Sequence, residues 1–273
     1  MIADNFFKNP VSRTLLIPLA VRAQESLSKK ALFIDRQAEE LFKKLPKDAI
    51  NFKLNPIMRT ATAIRVRYLD DLAREFMADH ANPIIVQLGC GFDTRFTRTD
   101  NGQSIQINID LPEVMQSRQD FLPAKNDREY NWAYNINDFA WIERFKREFR
   151  DFDIMFIAEG LLMYLPADDV ETLFKSLAEN FTDSYIAFDT ASFASKKVIN
   201  KSIVGKMGAG FQWVYNYDNS IEQWHPFLKQ ASEKFYFDLY PQRLGFLNIL
   251  RYLPIINHSS AIYLYYIHKK SDA

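Results

Sequence analysis

The sequence lacks most of the features of disulfide-bonded, membrane-spanning or metal-binding proteins. Its 273 residues include one cysteine, Cys90, which excludes an internal disulfide and a zinc site built from cysteines. No apolar run reaches the ~18 residues that span a bilayer. The first ten residues include Asp4 and Lys8 and have no apolar signal core. We therefore expect a soluble cytoplasmic protein without a bound metal.

The chain also lacks an excess of either charge. Lys plus Arg and Asp plus Glu number 34 each, so the formal net charge is zero. No global field then draws the protein to nucleic acid or to anionic lipid, and we predict a small-molecule partner instead of either. Hydrophobic residues make up 48% of the chain, which suits one large α/β domain. Nothing in the pattern indicates an oligomeric state.

One stretch organises the predicted fold, a short apolar run that ends in a glycine turn. Residues 84–88 are mostly apolar, and Gly89 and Gly91 follow with Cys90 between them. A run that is apolar on both faces is typical of a buried parallel strand. Glycine lets the backbone turn sharply and approach a ligand, and open α/β sheets bind ligands at the carboxyl ends of their strands. We therefore predict a ligand site at this turn.

Further strand patterns alternate with helical patterns after this turn. Strands are predicted at 104–110, 130–134, 152–158, 184–189, 234–239 and 261–268, and helices at 112–121, 141–149 and 168–181. This alternation predicts a Rossmann-like, doubly wound sheet that is mostly parallel and has seven strands. We predict a single domain in which residues 81–189 form the cofactor-binding core and residues 231–273 supply the last strands.

Two segments do not follow the alternation. Residues 1–80 are mostly helical, with helices predicted at 12–30, 35–44 and 56–78, and form a predicted N-terminal cap. Residues 190–230 contain Gly205, Gly208 and Gly210, followed by aromatic residues between Phe211 and Trp224. Long segments of this kind are typical of lids or binding walls. We predict that the cap and this lid insertion together cover the carboxyl edge of the sheet.

One arginine of the third predicted helix faces the wrong way for a solvent-exposed residue. At ~100° per residue, Arg59, Arg67 and Arg74 point away from the apolar face, whereas Arg65 falls inside it. An inward arginine needs an anionic partner, because an unpaired buried charge is very costly. The partner is either a protein carboxylate or the carboxylate of a ligand.

Polar residues follow three further strands and are predicted to meet at the glycine turn: Asp110, the pair Asn135 and Ile136, and Glu159. An acid ~20 residues after the glycines is where a Rossmann-type site binds a ribose diol. A dinucleotide site has a third glycine, where this sequence has Thr94, and the carboxylate of Asp93 would repel a pyrophosphate. S-adenosylmethionine has no phosphate, so these residues favour S-adenosylmethionine over a dinucleotide.

Three motifs in order resemble the leucine carboxyl methyltransferase and tetracenomycin-type O-methyltransferase family. They are Val-Gln-Leu-Gly-Cys-Gly-Phe-Asp-Thr-Arg-Phe at 86–96, Ile-Asp-Leu-Pro-Glu-Val at 109–114 and Ala-Glu-Gly-Leu-Leu-Met-Tyr-Leu-Pro at 158–166. The resemblance covers about residues 12–185. It implies a Rossmann-like domain with an extra cap that binds S-adenosylmethionine.

The resemblance also implies roles for single residues of the cofactor site. Arg65 would bind the methionine carboxylate, Gly89 the amino end, and Asp110 the ribose. Glu159 would lie near the amino or ribose side, and Asn135 with Ile136 would flank the adenine. Family members usually have Asp-Leu at this last pair, so Asn135 departs from the pattern.

These observations predict transfer of a methyl group from S-adenosylmethionine to an oxygen of a small, polyketide-like molecule. A carboxylate acceptor is already ionised at pH 7 and needs no strong base. A hydroxyl acceptor needs one, for which His225 is a weak candidate. Tyr164 either lines the acceptor pocket or packs in the core. The alternatives left open are a nicotinamide-dependent oxidoreductase, a non-catalytic binding module and a protein C-terminal carboxyl methyltransferase.

Overall fold

The computed structural model describes residues 14–45, 55–193, 210–215 and 219–268, together with residues 196, 200 and 201. Among the helices in these ranges, none has the length and apolar character that a bilayer crossing requires. Gly205 and Gly208 of the predicted lid, and the start of the first predicted helix, lie outside the described residues.

The described residues form one seven-stranded sheet. Its strands are β1 (Pro83–Leu88), β2 (Ile105–Asp110), β3 (Glu129–Ala133), β4 (Asp153–Ala158), β5 (Ser184–Ala191), β6 (Leu228–Phe235) and β7 (Ser260–Ile267). They lie in the order β3-β2-β1-β4-β5-β7-β6, with β7 antiparallel to both neighbours and the other pairs parallel. The predicted doubly wound, mostly parallel sheet is confirmed. Its strand order reverses between β1 and β4, which is where such sheets bind ligands.

Helices precede and connect these strands. The first three are α1 (Leu16–Ser26), α2 (Arg36–Lys44) and α3 (Pro56–Asp79), and α4 (Arg95–Thr99), α5 (Pro112–Phe121), α6 (Ala140–Glu148) and α7 (Ala167–Asn180) lie between strands. The connection from β6 to β7 holds α8 (Pro241–Leu244), α9 (Pro254–Asn257) and 3₁₀ helices at Tyr236–Asp238 and Gly245–Tyr252. Further 3₁₀ helices lie at Leu162–Tyr164 and Ser220–Gln223.

Both faces of the sheet are covered, as the apolar strands predict. Ile84, Val86 and Leu88 of β1 belong to a core with α6 and α7, whereas Ile85 belongs to a core with α3. Successive side chains of a strand point to opposite faces, which explains this division. α3 is therefore a layer of the main fold, and it brings residue Arg65 to the carboxyl edge of the sheet.

The sixth strand was predicted at 234–239, and this prediction is wrong. β6 is an edge strand at Leu228–Phe235, and its side chains are mostly polar and at least partly exposed. An edge strand buries little surface, so it needs no apolar run. The apolar residues Tyr236 and Phe237 instead form a buried 3₁₀ turn at the carboxyl edge of the sheet.

The described aromatic residues of the predicted lid divide between the hydrophobic core and the cavity. Among the described ones, Trp213 and Tyr215 are buried, and their rings lie 6.3 Å from Phe188 and 5.0 Å from Tyr263 respectively. They extend the hydrophobic core over β5 and β7. Phe211 is the described aromatic residue of this segment that reaches the cavity at the carboxyl edge.

Candidate active site

The glycine turn after β1 has the positive φ angles that its sequence suggests. Gly89 and Gly91 have backbone φ angles of 63° and 49°, which residues with a side chain rarely adopt. A Cβ atom on Gly89 would lie 2.6 Å from Cδ1 of Leu161. Between the two glycines, burial raises the pKa of the Cys90 thiol far above its ordinary value, so this cysteine is a poor nucleophile.

The turn is joined directly to Asp110 at the end of β2. Oδ2 of Asp110 accepts a hydrogen bond from the Gly91 amide at 2.7 Å, and Oδ1 accepts one from the Leu111 amide at 2.8 Å. Burial raises the pKa of Asp110 to about 6, against the effect of these two hydrogen bonds and of Arg118. The carboxylate is therefore still largely ionised at neutral pH and has lone pairs left for a ligand.

Arg65 lies at the same edge, and its partners are protein carboxylates. Its Nε is 3.1 Å from Oε1 of Glu159 and its Nη1 is 3.0 Å from Oδ2 of Asp189. Burial opposes the charge of Arg65, but Asp189 and Glu159 raise its pKa well above the ordinary value. Asp189 also accepts hydrogen bonds from the Tyr236 hydroxyl and from the Gly160 amide. The arginine is thus held at the cavity wall by two acids.

A second arginine holds Glu159 from the opposite side. Arg95 is fully buried and pairs with Asp70 at 2.7 Å, with Asp93 at 3.2 Å and with Glu159 at 2.5 Å. Burial alone would raise the pKa of Glu159, and it remains raised despite Arg65 and Arg95. Glu159 is thus bound on both of its oxygens and fixed in position.

The negative charge of Asp93 is compensated by three arginines, so the repulsion of a pyrophosphate expected from the sequence is weak. Burial favours its neutral form, but the guanidinium groups of Arg98, Arg95 and Arg22 outweigh burial and hold its pKa well below the ordinary value. A carboxylate surrounded in this way does not repel a pyrophosphate strongly. The feature that still disfavours a dinucleotide is Thr94 at the position of the third glycine.

These groups open into a cavity of about 500 Å³ at the carboxyl edge. This volume lies within the range of about 300–1,000 Å³ for small-molecule sites. Its polar end is formed by the glycine turn, Arg65, Glu159 and Asp189. Its other walls are largely apolar and come from α1 and the residue before it, from α3, from the 3₁₀ helix after β4, from the segment 210–215 and from the β6–β7 connection: Leu15, Ile17, Ile57, Met58, Ala61, Met163, Phe211, Phe237, Ile255 and Ile256.

Tyr164 lines this cavity and its ring contacts Phe211, with the centroids 5.3 Å apart. Burial raises its pKa to about 12, so the hydroxyl stays protonated at neutral pH. His225 lies elsewhere: it precedes Leu228, which pairs with Ile267 at the opposite edge of the sheet. His225 is therefore not among the described residues that line the cavity.

Asp110, Asn135 and Ile136 lie at the ends of β2 and β3 but outside the set of described residues that line the cavity. The Tyr134 amide donates to the Asp110 carbonyl at 2.9 Å, which places the pair beside Asp110. The Ile136 carbonyl accepts a hydrogen bond from the Trp141 indole. Asn135 is exposed, and its side chain accepts from the Asn137 amide. The predicted adenine contacts therefore stay a prediction.

With this geometry in place, the comparison with known families is decisive. A family model described as leucine carboxyl methyltransferase matches residues 16–178, more than half of the chain. The chain belongs to the leucine carboxyl methyltransferase family. The family resemblance inferred from the three motifs is thereby confirmed.

Relatives of this leucine carboxyl methyltransferase family member cover most of the chain. The tetracenomycin polyketide synthesis O-methyltransferase TcmP of Streptomyces glaucescens is 26% identical over 225 residues, 80% of each chain. The S-adenosyl-L-methionine-dependent methyltransferase dpfgK of Gibberella zeae is 28% identical over 252 residues, 85% of this chain and 84% of the relative.

Solved structures support the fold assignment at lower identity. A duf574 family protein from Streptomyces avermitilis has a TM-score of 0.56 at 14% identity, covering 90% of this chain and 96% of the other. An S-adenosylmethionine-dependent methyltransferase from Clostridium acetobutylicum has a TM-score of 0.51 at 11% identity, covering 76% and 92%. At such identities these likenesses concern the fold, which is that of a class I methyltransferase.

Sequence reasoning missed two residues of the site, Asp189 and Tyr236. Asp189 lies near the end of β5, and a carboxylate at a strand end is the same signal that identified Asp110 and Glu159. Tyr236 belongs to a segment predicted as strand, where nothing in the pattern indicated a cavity wall. Both contribute to the hydrogen-bonded group around Arg65.

Proposed function

We propose that the protein is an S-adenosylmethionine-dependent O-methyltransferase that acts on a small, largely apolar molecule, most readily on its carboxylate. The observation that carries this proposal is the shape of the cavity. Its polar end joins the glycine turn to Arg65 and Glu159, and the other walls are largely apolar. One end then suits the charged part of a methyl donor, and the rest suits an organic acceptor.

The residues at the polar end fit S-adenosylmethionine. The positive φ of Gly89 and Gly91 leaves the backbone of the turn open to a close approach. At the polar end, Arg65 can bind the methionine carboxylate and Glu159 can face the amino group. Asp110, which is joined to the turn from outside the cavity lining, can accept hydrogen bonds from ribose hydroxyls. The bound donor supplies a methyl group that its sulfonium makes electrophilic. The protein contributes position, charge and largely apolar walls.

The acceptor side favours a carboxylate, because the cavity offers no evident base. Among the described residues that line it, none is a histidine or a lysine. Tyr164 has a raised pKa of about 12, and Asp189 already accepts three hydrogen bonds. A carboxylate acceptor is ionised at neutral pH and requires only positioning and loss of its hydration shell.

The first test is calorimetric binding of S-adenosylmethionine and S-adenosylhomocysteine, with NADH beside them. We expect micromolar binding of both sulfur compounds, and about tenfold weaker binding by Arg65→Lys, because lysine keeps the charge but loses the planar fork. Arg67→Lys is the matched control on the same helix, where Arg67 pairs with Asp71 outside the cavity. Failure of the folded wild type to bind either compound would overturn the proposal. If both sulfur compounds bind, the next step is an acceptor screen with small carboxylic acids, phenols and a peptide ending in leucine.

A second prediction concerns the pH dependence of binding. In the protein without ligand, burial raises the pKa of Asp110 to about 6. Only the ionised carboxylate accepts two hydrogen bonds from the ribose. The affinity for S-adenosylhomocysteine should therefore fall as pH drops through 6, by up to about tenfold per pH unit. Asp110→Asn should bind weakly with no such dependence. Stability should change in the opposite sense: the free energy of unfolding falls as pH rises from the unfolded pKa of ~3.9 to the folded pKa of about 6, and this loss is complete above that pH. An equal pH profile for wild type and Asp110→Asn would contradict this assignment.

A further inference from the structure

The connection between β6 and β7 carries an exposed apolar stripe. In its 3₁₀ helix, Gly245–Tyr252, residues three apart lie on the same side. Phe246, Ile249 and Tyr252 have this spacing and are 83%, 66% and 72% exposed. On another side, Leu247 is buried in the core over α3. The helix is thus anchored by one face and presents an apolar stripe to solvent, which a soluble surface rarely does without a partner.

The stripe continues to the rim of the cavity. Leu253 and Ile255 follow it, and Ile255 is 80% exposed while also lining the cavity. Ile57, at the start of α3, is a second exposed apolar residue of the lining. A molecule held against the stripe would therefore have an apolar path into the acceptor side of the cavity.

Around the stripe, two arginines lie beside acids and two exposed lysines give a basic excess. Residues 239–268 contain Arg243 and Arg251 and no acidic residue. Arg251 lies over the Tyr252 ring, and its nearest carboxylate is Asp238 at 3.8 Å. The end of α1 is joined to this segment by the pair of Arg243 with Glu25, and two exposed lysines, Lys29 and Lys30, follow α1.

We propose that this surface, residues 245–255 with the adjoining basic side chains, binds the face of an anionic membrane, from which the enzyme takes a lipophilic acceptor. Aromatic and aliphatic side chains beside arginine and lysine are the pattern of segments that lie in the interface of a bilayer. A second copy of the chain fits less well. A two-fold interface opposes a patch to itself, so it would bring the excess lysines of both copies together, while the acids beside them, Glu25 and Asp238, already pair with Arg243 and Arg251. The route of the acceptor depends on the proposed function, but the membrane contact does not.

The test is cosedimentation of the full chain with vesicles of phosphatidylcholine alone or mixed with phosphatidylglycerol. We expect binding to the mixed vesicles that weakens with salt, and at least about tenfold weaker binding by the triple variant Phe246→Ser, Ile249→Ser, Tyr252→Ser. Arg251→Glu should also weaken it. Arg147→Glu, the same charge change at an exposed site on α6, should not.

Two controls separate this inference from the proposed function. Binding of S-adenosylhomocysteine by calorimetry should be unchanged in the triple variant, because these three side chains are outside the polar end of the cavity. Light scattering gives the oligomeric state. If the wild-type protein cosediments with neither kind of vesicle, the membrane contact is overturned and the methyltransferase proposal is unaffected. A dimer that the triple variant dissociates would assign the stripe to a second copy instead.

Discussion

Replacement of Arg95 by methionine is expected to lower the free energy of unfolding by about 3–5 kcal/mol, the range for breaking a buried ion pair from one side. Arg95 is fully buried and pairs with Asp70, Asp93 and Glu159 at 2.5–3.2 Å. Methionine fills much of the same volume, so the loss reports mainly the carboxylates that remain without their partner. The measurement is urea unfolding of both proteins at neutral pH.

The pH dependence of this loss separates charge from packing. Asp93 has a pKa held well below the ordinary value by three arginines, including Arg95. Its contribution to stability is present above the unfolded pKa of ~3.9 and is lost as pH falls further. The difference between wild type and Arg95→Met should therefore narrow in acid. A difference that is constant with pH would show that lost packing, and not lost charge, dominates.

The matched control is Arg128→Met, which breaks an exposed pair. Arg128 and Asp100 approach to 2.6 Å, but their side chains are 24% and 26% exposed. Water screens such a pair, and its removal should cost about 1 kcal/mol or less. A comparable loss in the two variants would contradict the claim that burial makes the Arg95 interactions important.

The parts of the fold that were predictable are those with a strong local signal. β1 and β4 are apolar runs in the centre of the sheet, and both were predicted within one residue at either end. The position of β6 was predicted wrongly, because this edge strand has a mixed polar and apolar sequence. The apolar residues that follow it, Tyr236 and Phe237, form a 3₁₀ turn in the cavity wall instead of a strand. Period-two patterning identifies a strand only when one of its faces is buried.

The inward position of Arg65 was predictable, but its contacts were not. The helical projection placed Arg65 on the inward face of α3, and the structure shows it there with two acids. The projection could not show that these acids are Glu159 and Asp189, because they are 94 and 124 residues away in sequence. The arginines around Asp93 come from α1 and α4, so the neutralisation of Asp93 was equally invisible. Long-range charge pairing is a property of the packed state.

Substitution of Gly89 by alanine is expected to weaken binding of S-adenosylhomocysteine by at least about tenfold. A residue with a side chain pays roughly 1–2 kcal/mol to adopt the left-handed conformation that Gly89 has, with φ at 63°. The added methyl would also lie 2.6 Å from Leu161, so either Leu161 or the turn must move. Both responses disturb the edge where Glu159 and the turn line the cavity. Calorimetry on the folded variant measures the effect.

Gly102→Ala provides the comparison that isolates the site. Gly102 has φ at 83°, so alanine there pays a similar backbone cost, but a Cβ atom would meet nothing within 4 Å. Gly102→Ala should lose about 1–2 kcal/mol of stability and Gly89→Ala at least as much, because it adds the contact with Leu161. Gly89→Ala alone should lose affinity. Unchanged affinity in Gly89→Ala would mean that the turn has no part in cofactor binding, whatever the family predicts. Equal losses of affinity in both would trace the effect to general destabilisation rather than to the close approach that the glycine permits.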